Sequence, residues 1–281
     1  MRYMTTTAAF LLFAIAILPA VSGGDPAKIT NLDKLNTEAD EEDPCPTSDG
    51  SGLLYASKAR GSYDIYLSKR ATATGPLGAG KLMIGDKVAD ERCPFSFKDK
   101  YFFATNEIRD EKFAKLKNFD LMKQTGFQAP LFVEGDVNTP ADEMYPWVTP
   151  AGKELYFSRK GEEGWRLYVA NGPVPGPIGK SAPVGFAVNF HRATVAGNGL
   201  TMFLQGPLED GKIGIFRSKR NKVGDKWSAP EAVAMLNHAE SKKGDMQPAL
   251  TADGTRLYFA SDRPGGKGGL DIWTVLTSQL K

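Results

Sequence analysis

One aromatic landmark returns five times along this chain, at Tyr55, Phe103, Phe157, Phe203 and Phe259, in steps of 48, 54, 46 and 56 residues. A second landmark follows each: an aliphatic residue and then a large apolar one, at Ile65-Tyr66, Leu121-Met122, Leu167-Tyr168, Ile215-Phe216 and Ile272-Trp273. Self-similarity at this period constrains the fold more than any single motif. A unit too small to bury its own apolar face must stack on copies of itself. Each copy reads as strand, turn, strand, loop, strand. In the last, "PALT" is a short apolar strand, Asp253-Gly254 is a hairpin signal, "RLYFAS" is an aromatic-rich strand and "LDIWTV" is the third.

The spacers supply a fourth strand. "SAPEAVAMLN" (228–237), "SAPVGFAVN" (181–189) and "QAPLFVEGDVN" (128–138) share a proline, an apolar run and a terminal apolar-Asn pair. The fifth copy has no such segment after it, while "DPAKITNLDKLN" (25–36) carries the same Pro and Leu35-Asn36 ahead of the first copy. The expectation is an all-β, five-bladed β-propeller of four-stranded antiparallel blades, with the N-terminal strand joining the last blade. Closure of that kind removes an exposed sheet edge and ties down both termini. A ring of six with one unrecognised blade, or an open solenoid, are the alternatives.

The spelling L-N…D-x-x-P-x-L-T-x-D-G…L-Y-F-A-S-D-R…D-I-W, fullest over 236–275 and next over 35–70, resembles the WD40-like repeat of TolB-type β-propellers. It is most similar to the version in exported bacterial proteins associated with OmpA-like, peptidoglycan-binding partners. The resemblance implies a non-catalytic binding or scaffold role.

Residues 1–23 have an early arginine, an apolar run from Ala8 to Ile17, Pro19, and small residues at Ala20, Ser22 and Gly23. That is the layout of a cleavable secretory signal peptide. The run is short for a membrane core of about 30 Å. The expectation is therefore an exported chain, periplasmic or extracellular, with residues 24–281 forming a single propeller domain and no membrane span after cleavage. A net charge of +2 with interspersed signs speaks against nucleic acid as a partner. The expected partner of this monomer is a protein or a cell-envelope glycan.

No glycine loop here holds a phosphate. "GPLGAGKL" (75–82) has Leu82 where a magnesium-binding Ser or Thr is needed, and no helical pattern follows. "RPGGKGG" (263–269) falls at the connection between two strands, where glycine permits positive φ, with its Lys267 in solvent. Cys45 and Cys93 align in the first strand of successive repeats, and in an exported chain an even pair reads as a disulfide. The condition is a Cα separation within about 7 Å, two buried free thiols being the other outcome.

The leads into the first strands carry the candidate site. Glu41 and Asp43, Glu143 and Tyr145, and Asp245 and Gln247 stand two apart, hence on one face of an extended chain. The second copy offers Glu91 with Arg92, the fourth His191 with Arg192. In a propeller these line one mouth of the axial channel. They would form a recognition surface there, with no cofactor required but with carboxylate oxygens for a channel cation such as calcium. Solvation of the channel and satisfaction of strand ends is the competing reading. Asp43, Glu91 and Glu143 are also castable as glycosidase carboxylates, which need an acid of raised pKa about 5–9.5 Å from a second carboxylate. Tyr55, Phe103, Phe157, Phe259 and Trp273 read as core, and Trp147 and Trp165 as more open.

Overall fold

Five four-stranded antiparallel sheets form the computed structural model, which describes residues 28–72, 75–85, 88–107, 118–126, 128–174, 176 and 178–280. The segment expected to be a signal peptide, 1–23, lies outside the described residues. Blade 1 runs Glu41–Pro46, Gly52–Ser57, Asp64–Lys69 and Lys81–Ile84; blade 2 runs Glu91–Phe97, Lys100–Thr105, Asp120–Thr125 and Leu131–Phe132. Blade 3 is Glu143–Val148, Glu154–Gly161, Gly164–Asn171 and Ser181–Pro183; blade 4 is His191–Val195, Thr201–Pro207, Ile213–Lys219 and Glu231–Ala232. Blade 5 takes Asp245–Leu250, Arg256–Ser261 and Asp271–Leu276 from the C-terminal part, and its outer strand is Thr30–Asn31. That strand pairs antiparallel with the last, Thr30 opposite Thr274 and Asn31 opposite Trp273, so the ring closes as expected.

Each second strand lies mid-blade with a blade packed on either face, so it is a continuous apolar run rather than an alternating one. Gly52–Ser57 is buried throughout. Phe103, Phe157 and Phe259 are at 0% exposure and Tyr55 and Trp273 are buried, each side chain contributing about 2–3 kcal/mol by leaving water. The hairpin tips spelled Thr-x-Asp-Gly turn at Gly50 (φ 71°) and Gly254 (φ 70°). A Cβ is disfavoured in that region, and Asp49 and Asp253 accept local hydroxyl and amide protons to fix the loop. "GPLGAGKL" enters the outer strand of blade 1, and "RPGGKGG" links two strands of blade 5. Lys267 in that link is exposed, yet its Nζ donates to the carbonyl of Asp33. At Gly268 a Cβ would sit 2.4 Å from the carbonyl oxygen of Ala39, so the glycine there serves close approach of two backbones.

The feature common to all five inner strands is a bulge. The ladder loses register between Glu42 and Cys45, Arg92 and Phe95, Met144 and Trp147, His191 and Thr194, and Met246 and Ala249. Inside each bulge sits a non-glycine residue at positive φ: Asp43 (57°), Cys93 (55°), Tyr145 (60°), Arg192 (56°) and Gln247 (64°). Such conformations cost about 1–3 kcal/mol each and persist only where surrounding structure compensates.

These bulges correct the repeat alignment in two places. Cys93 shares its position with Asp43, whereas Cys45 is the residue opposite Leu54 and is equivalent to Phe95. The two cysteines therefore stand two residues apart in the repeat and form no disulfide. Both are free and buried, Cys45 Sγ lying 3.4 Å from the Pro46 carbonyl oxygen and Cys93 Sγ 3.6 Å from Asp43 Oδ2. Burial pushes the Cys45 thiol up to about 12 and, with the Asp43 charge, raises that of Cys93. In blade 4, Leu204 rather than Phe203 takes the place of Tyr55, since Leu204 pairs with Phe216 as Tyr55 pairs with Tyr66.

Candidate functional site

The five bulges meet on the propeller axis. Around it, Pro44, Pro94, Pro146, Ala193 and Pro248 with their neighbours line a cavity of roughly 30 Å³, enough to admit water but no larger ligand. Immediately toward the start of the inner strands, the bulge residues link up around the ring. Asp43 N donates to Gln247 Oε1 at 2.7 Å, Cys93 N donates to Asp43 Oδ2 at 3.1 Å, and Tyr145 N donates to the Cys93 sulfur. The Tyr145 and Arg192 side chains do not accept the next amide, and second-strand residues substitute. Arg192 N donates to Ser158 Oγ at 3.0 Å, and Gln247 N donates to Gln205 Oε1 at 3.1 Å. Every strained bulge thus has its amide satisfied by the preceding blade.

Charge is neutralised within the same layer. Asp43 is gripped by Arg192 Nη2 at 2.6 Å and Arg92 Nε at 3.2 Å. Burial alone would raise its pKa, but the two guanidinium charges prevail and hold it down at about 2. Glu42 takes Arg92 Nη2, Tyr63 Oη at 2.5 Å and Gln247 Nε2 at 2.8 Å. Arg92 lies over the Tyr63 ring at 4.2 Å and Arg192 over the Tyr145 ring at 4.0 Å.

His191, at 5% exposure, has Gln205 Nε2 at 3.0 Å from its Nε2. Because Gln205 Oε1 already accepts from Gln247, its amide group is the donor, and the imidazole proton lies on Nδ1. Burial, reinforced by Arg192, holds His191 neutral with its pKa lowered to about 3. Its Nδ1 and the Nη1 of Arg192 are buried without a hydrogen-bond partner among the described residues. The ring stacks on Trp165 (5.3 Å, 5° between planes), and Tyr145 leans on both at 5.7 and 6.0 Å. Trp165, Tyr145, Tyr63 and Arg92 are half-buried and form the rim of this upper mouth.

The remaining acids expected there serve another purpose. Glu41 accepts from Thr37 N (2.7 Å), Thr37 Oγ1 (2.7 Å) and Ser57 Oγ (2.8 Å). Glu143 accepts from Thr139 N (2.9 Å), Thr139 Oγ1 (2.6 Å) and Arg159 Nε (2.7 Å). Asp245 takes His238 N and Arg263 Nη2, and Glu91 takes Thr105 Oγ1. Burial raises the pKa of Glu41 and Glu143 against these bonds. Each carboxylate holds the loop entering its blade or its own second strand. Of the expected residues, the structure brings Asp43, Arg92, Tyr145, His191, Arg192 and Gln247 together on the axis. Glu91, Glu143 and Asp245 stand apart as clamps.

Sequence reasoning missed Glu42, Gln205 and Tyr63. Gln205 departs from the Ala or Ser that holds its position in the other blades (Ala56, Ala104, Ser158 and Ala260), which was its only signal. Among the described residues no group of three His, Cys, Asp or Glu is placed to hold a metal ion.

No protein-family model matches the chain, and no curated protein matches it. Solved structures resemble its fold. The catalytic domain of a GH62 alpha-L-arabinofuranosidase from Coprinopsis cinerea superposes with a TM-score of 0.59 at 12% identity, covering 84% of this chain and 90% of that one. TolB from Acinetobacter baumannii gives 0.51 at 15% identity over 91% of this chain and 56% of its own length. A putative TolB from Agrobacterium tumefaciens gives 0.52 at 12%, covering 87% and 86%. The chain is a β-propeller with structural similarity to both groups. At such identities the likeness is one of fold, which hosts unrelated functions.

Proposed function

We propose that the protein is an exported, non-catalytic propeller that binds a protein or a cell-envelope glycan at the upper mouth of its axial channel. The observation that carries this reading is the pair of unspent donors, His191 Nδ1 and Arg192 Nη1, beside the half-buried Tyr145 and Trp165. Buried donors without partners are rare and call for an acceptor. A peptide carbonyl or a sugar hydroxyl supplies one, and a flat aromatic rim receives the apolar face of either. A binding role is supported over hydrolysis by the state of the carboxylates. Glycoside cleavage needs an accessible acid of raised pKa facing a second free carboxylate. Here Asp43 is held low by two arginines, Glu91 accepts from Thr105 of its own second strand, and Glu143 is enclosed in bonds to its own loop.

The test is capture from an envelope extract by immobilised protein, comparing the wild type with Trp165→Ala. Trp165 is chosen because it sits at the rim and its loss leaves the Asp43 network intact. Loss of a captured species with the variant is expected; equal recovery by both proteins rejects the upper mouth as the binding surface.

A further inference from the structure

The junctions between blades repeat, and one differs from its counterpart in the sign of a charge. Where blade 4 meets blade 3, Arg220 at the end of a third strand reaches the start of the neighbouring second strand and pairs with Glu154 at 3.3 Å. Where blade 1 meets blade 5, at the seam that closes the ring, the equivalent residues are Arg70 and Arg256. The equivalence follows from backbone bonds. Arg220 N donates to Leu200 O as Arg70 N donates to Ser51 O, and Glu154 N donates to Thr149 Oγ1 as Arg256 N donates to Thr251 Oγ1. Two guanidinium groups therefore occupy the positions of an ion pair.

Among the described residues neither arginine meets a carboxylate. Arg70 donates to Gly75 O at 2.5 Å and Tyr258 Oη at 2.9 Å, so its head is positioned by neutral groups. Arg256 makes one long bond, 3.4 Å, to Thr274 Oγ1. Both line two adjoining clefts at the hairpin end of the seam, of about 540 and 270 Å³. A volume of that order suits a small ligand or a segment of a larger one. The other charged residues lining the clefts are Lys34, Asp33, Asp49 and Asp253. Asp49 and Asp253 have hydrogen bonds from Thr47 and Ser51, and from Thr251 and Thr255, which keep them ionised. They remain solvent-facing acceptors.

We propose that the seam cleft is a binding site for an acidic sugar. Its carboxylate or phosphate group lies between Arg70 and Arg256, and its hydroxyls donate to Asp49 and Asp253. Guanidinium groups favour planar oxyanions through paired hydrogen bonds. The carboxylates at the cleft edge give a polyol an advantage that a bare anion lacks. This site lies at the opposite end of the inner strands from the upper mouth and does not depend on the function proposed for it.

The test is calorimetric titration of the protein with D-glucuronate, glucose 6-phosphate, glucose and inorganic phosphate. One variant, Arg256→Glu, restores the Arg–Glu pairing seen between blades 3 and 4. The expected result is that glucuronate, the sugar phosphate or both bind while glucose does not, and that inorganic phosphate binds more weakly than the acidic sugars. Arg256→Glu should weaken sugar binding by roughly tenfold or more while its Tm stays level or rises. Which acidic sugar binds tighter identifies the anionic group. Failure of both to bind, equal binding of glucose, phosphate binding as tight as the sugars, or unchanged affinity in Arg256→Glu would each overturn the proposal. A second variant, Arg70→Gln, guards against misfolding at position 256 and is expected to lose binding as well.

Discussion

Blades 3 and 4 build the same sheet with different fasteners. Blade 3 begins with Asp142 and Glu143: Asp142 accepts the amide of Phe119 in blade 2 at 3.0 Å, and Glu143 clamps Thr139. Ahead of them Asn138 brackets Leu121, taking its N–H at 2.7 Å and donating to its carbonyl at 2.9 Å. Asn36 brackets Ile272 in this way, and Asn237 brackets Ile215. Blade 4 has no carboxylate clamp. Phe190 replaces Glu143, packing edge-on against Phe216 at 5.0 Å, and Asn189 replaces Asp142, accepting from Trp165 N at 3.1 Å. The acidic lead-ins of the repeat are thus mainly joints between blades. Where the joint is aromatic, the adjacent axial positions carry His191 and Arg192, and two buried donors are left unpartnered there among the described residues.

The comparison can be broken at four positions, the largest effect coming first and the smallest last. Arg192→Ala removes one of two cations from a fully buried carboxylate. It should cost about 3–4 kcal/mol in urea unfolding, with Arg192→Lys recovering part of this. Asn138→Ala strips both bonds from a blade joint and should cost about 2 kcal/mol. The corresponding loss at Asn189, which is exposed and holds one bond, should stay below about 1 kcal/mol, and equal losses would dissolve the distinction between the blades.

His191 gives a pH dependence. Its folded pKa is lowered, so its contribution is fully present above about 6.5 and is lost as pH falls toward 3. Stability of the wild type relative to His191→Asn should therefore fall by about 1.4 kcal/mol per pH unit between pH 6 and 4. A flat difference would mean that the imidazole is not held neutral. The smallest effect is at Asn189 itself, whose φ is 68°: Asn189→Gly should change Tm little, because relief of backbone strain offsets the lost bond.

Much of the ring was legible from residue spacing. Second strands between two blades must be apolar and aromatic, so Tyr55, Phe103, Phe157 and Phe259 marked them. The Pro-led outer segments, including the one ahead of the first copy, fell where the fourth strands are. The slips came at the bulges. Two residues opposite one interrupt the strict alternation on which register arguments rest. Spacing alone therefore aligns Cys45 with Cys93 though it belongs with Phe95, and Phe203 with Tyr55 in place of Leu204. By spelling Asn189 groups with Asn36, Asn138 and Asn237, yet it occupies the position of Asp142, because the loop entering blade 4 is shorter after its asparagine.

By itself the sequence determined the architecture: five units that cannot bury their faces alone, and an N-terminal segment able to complete the last. These are local patterns, and any chain carrying them must stack and close. Only the tertiary structure decided what the polar residues do. Asp43 and Arg192 are 149 positions apart, and Arg70 and Arg256 are 186 apart. Each pair meets because ring closure brings separate blades together, and nothing in the local sequence says that one pair is opposite in charge and the other alike.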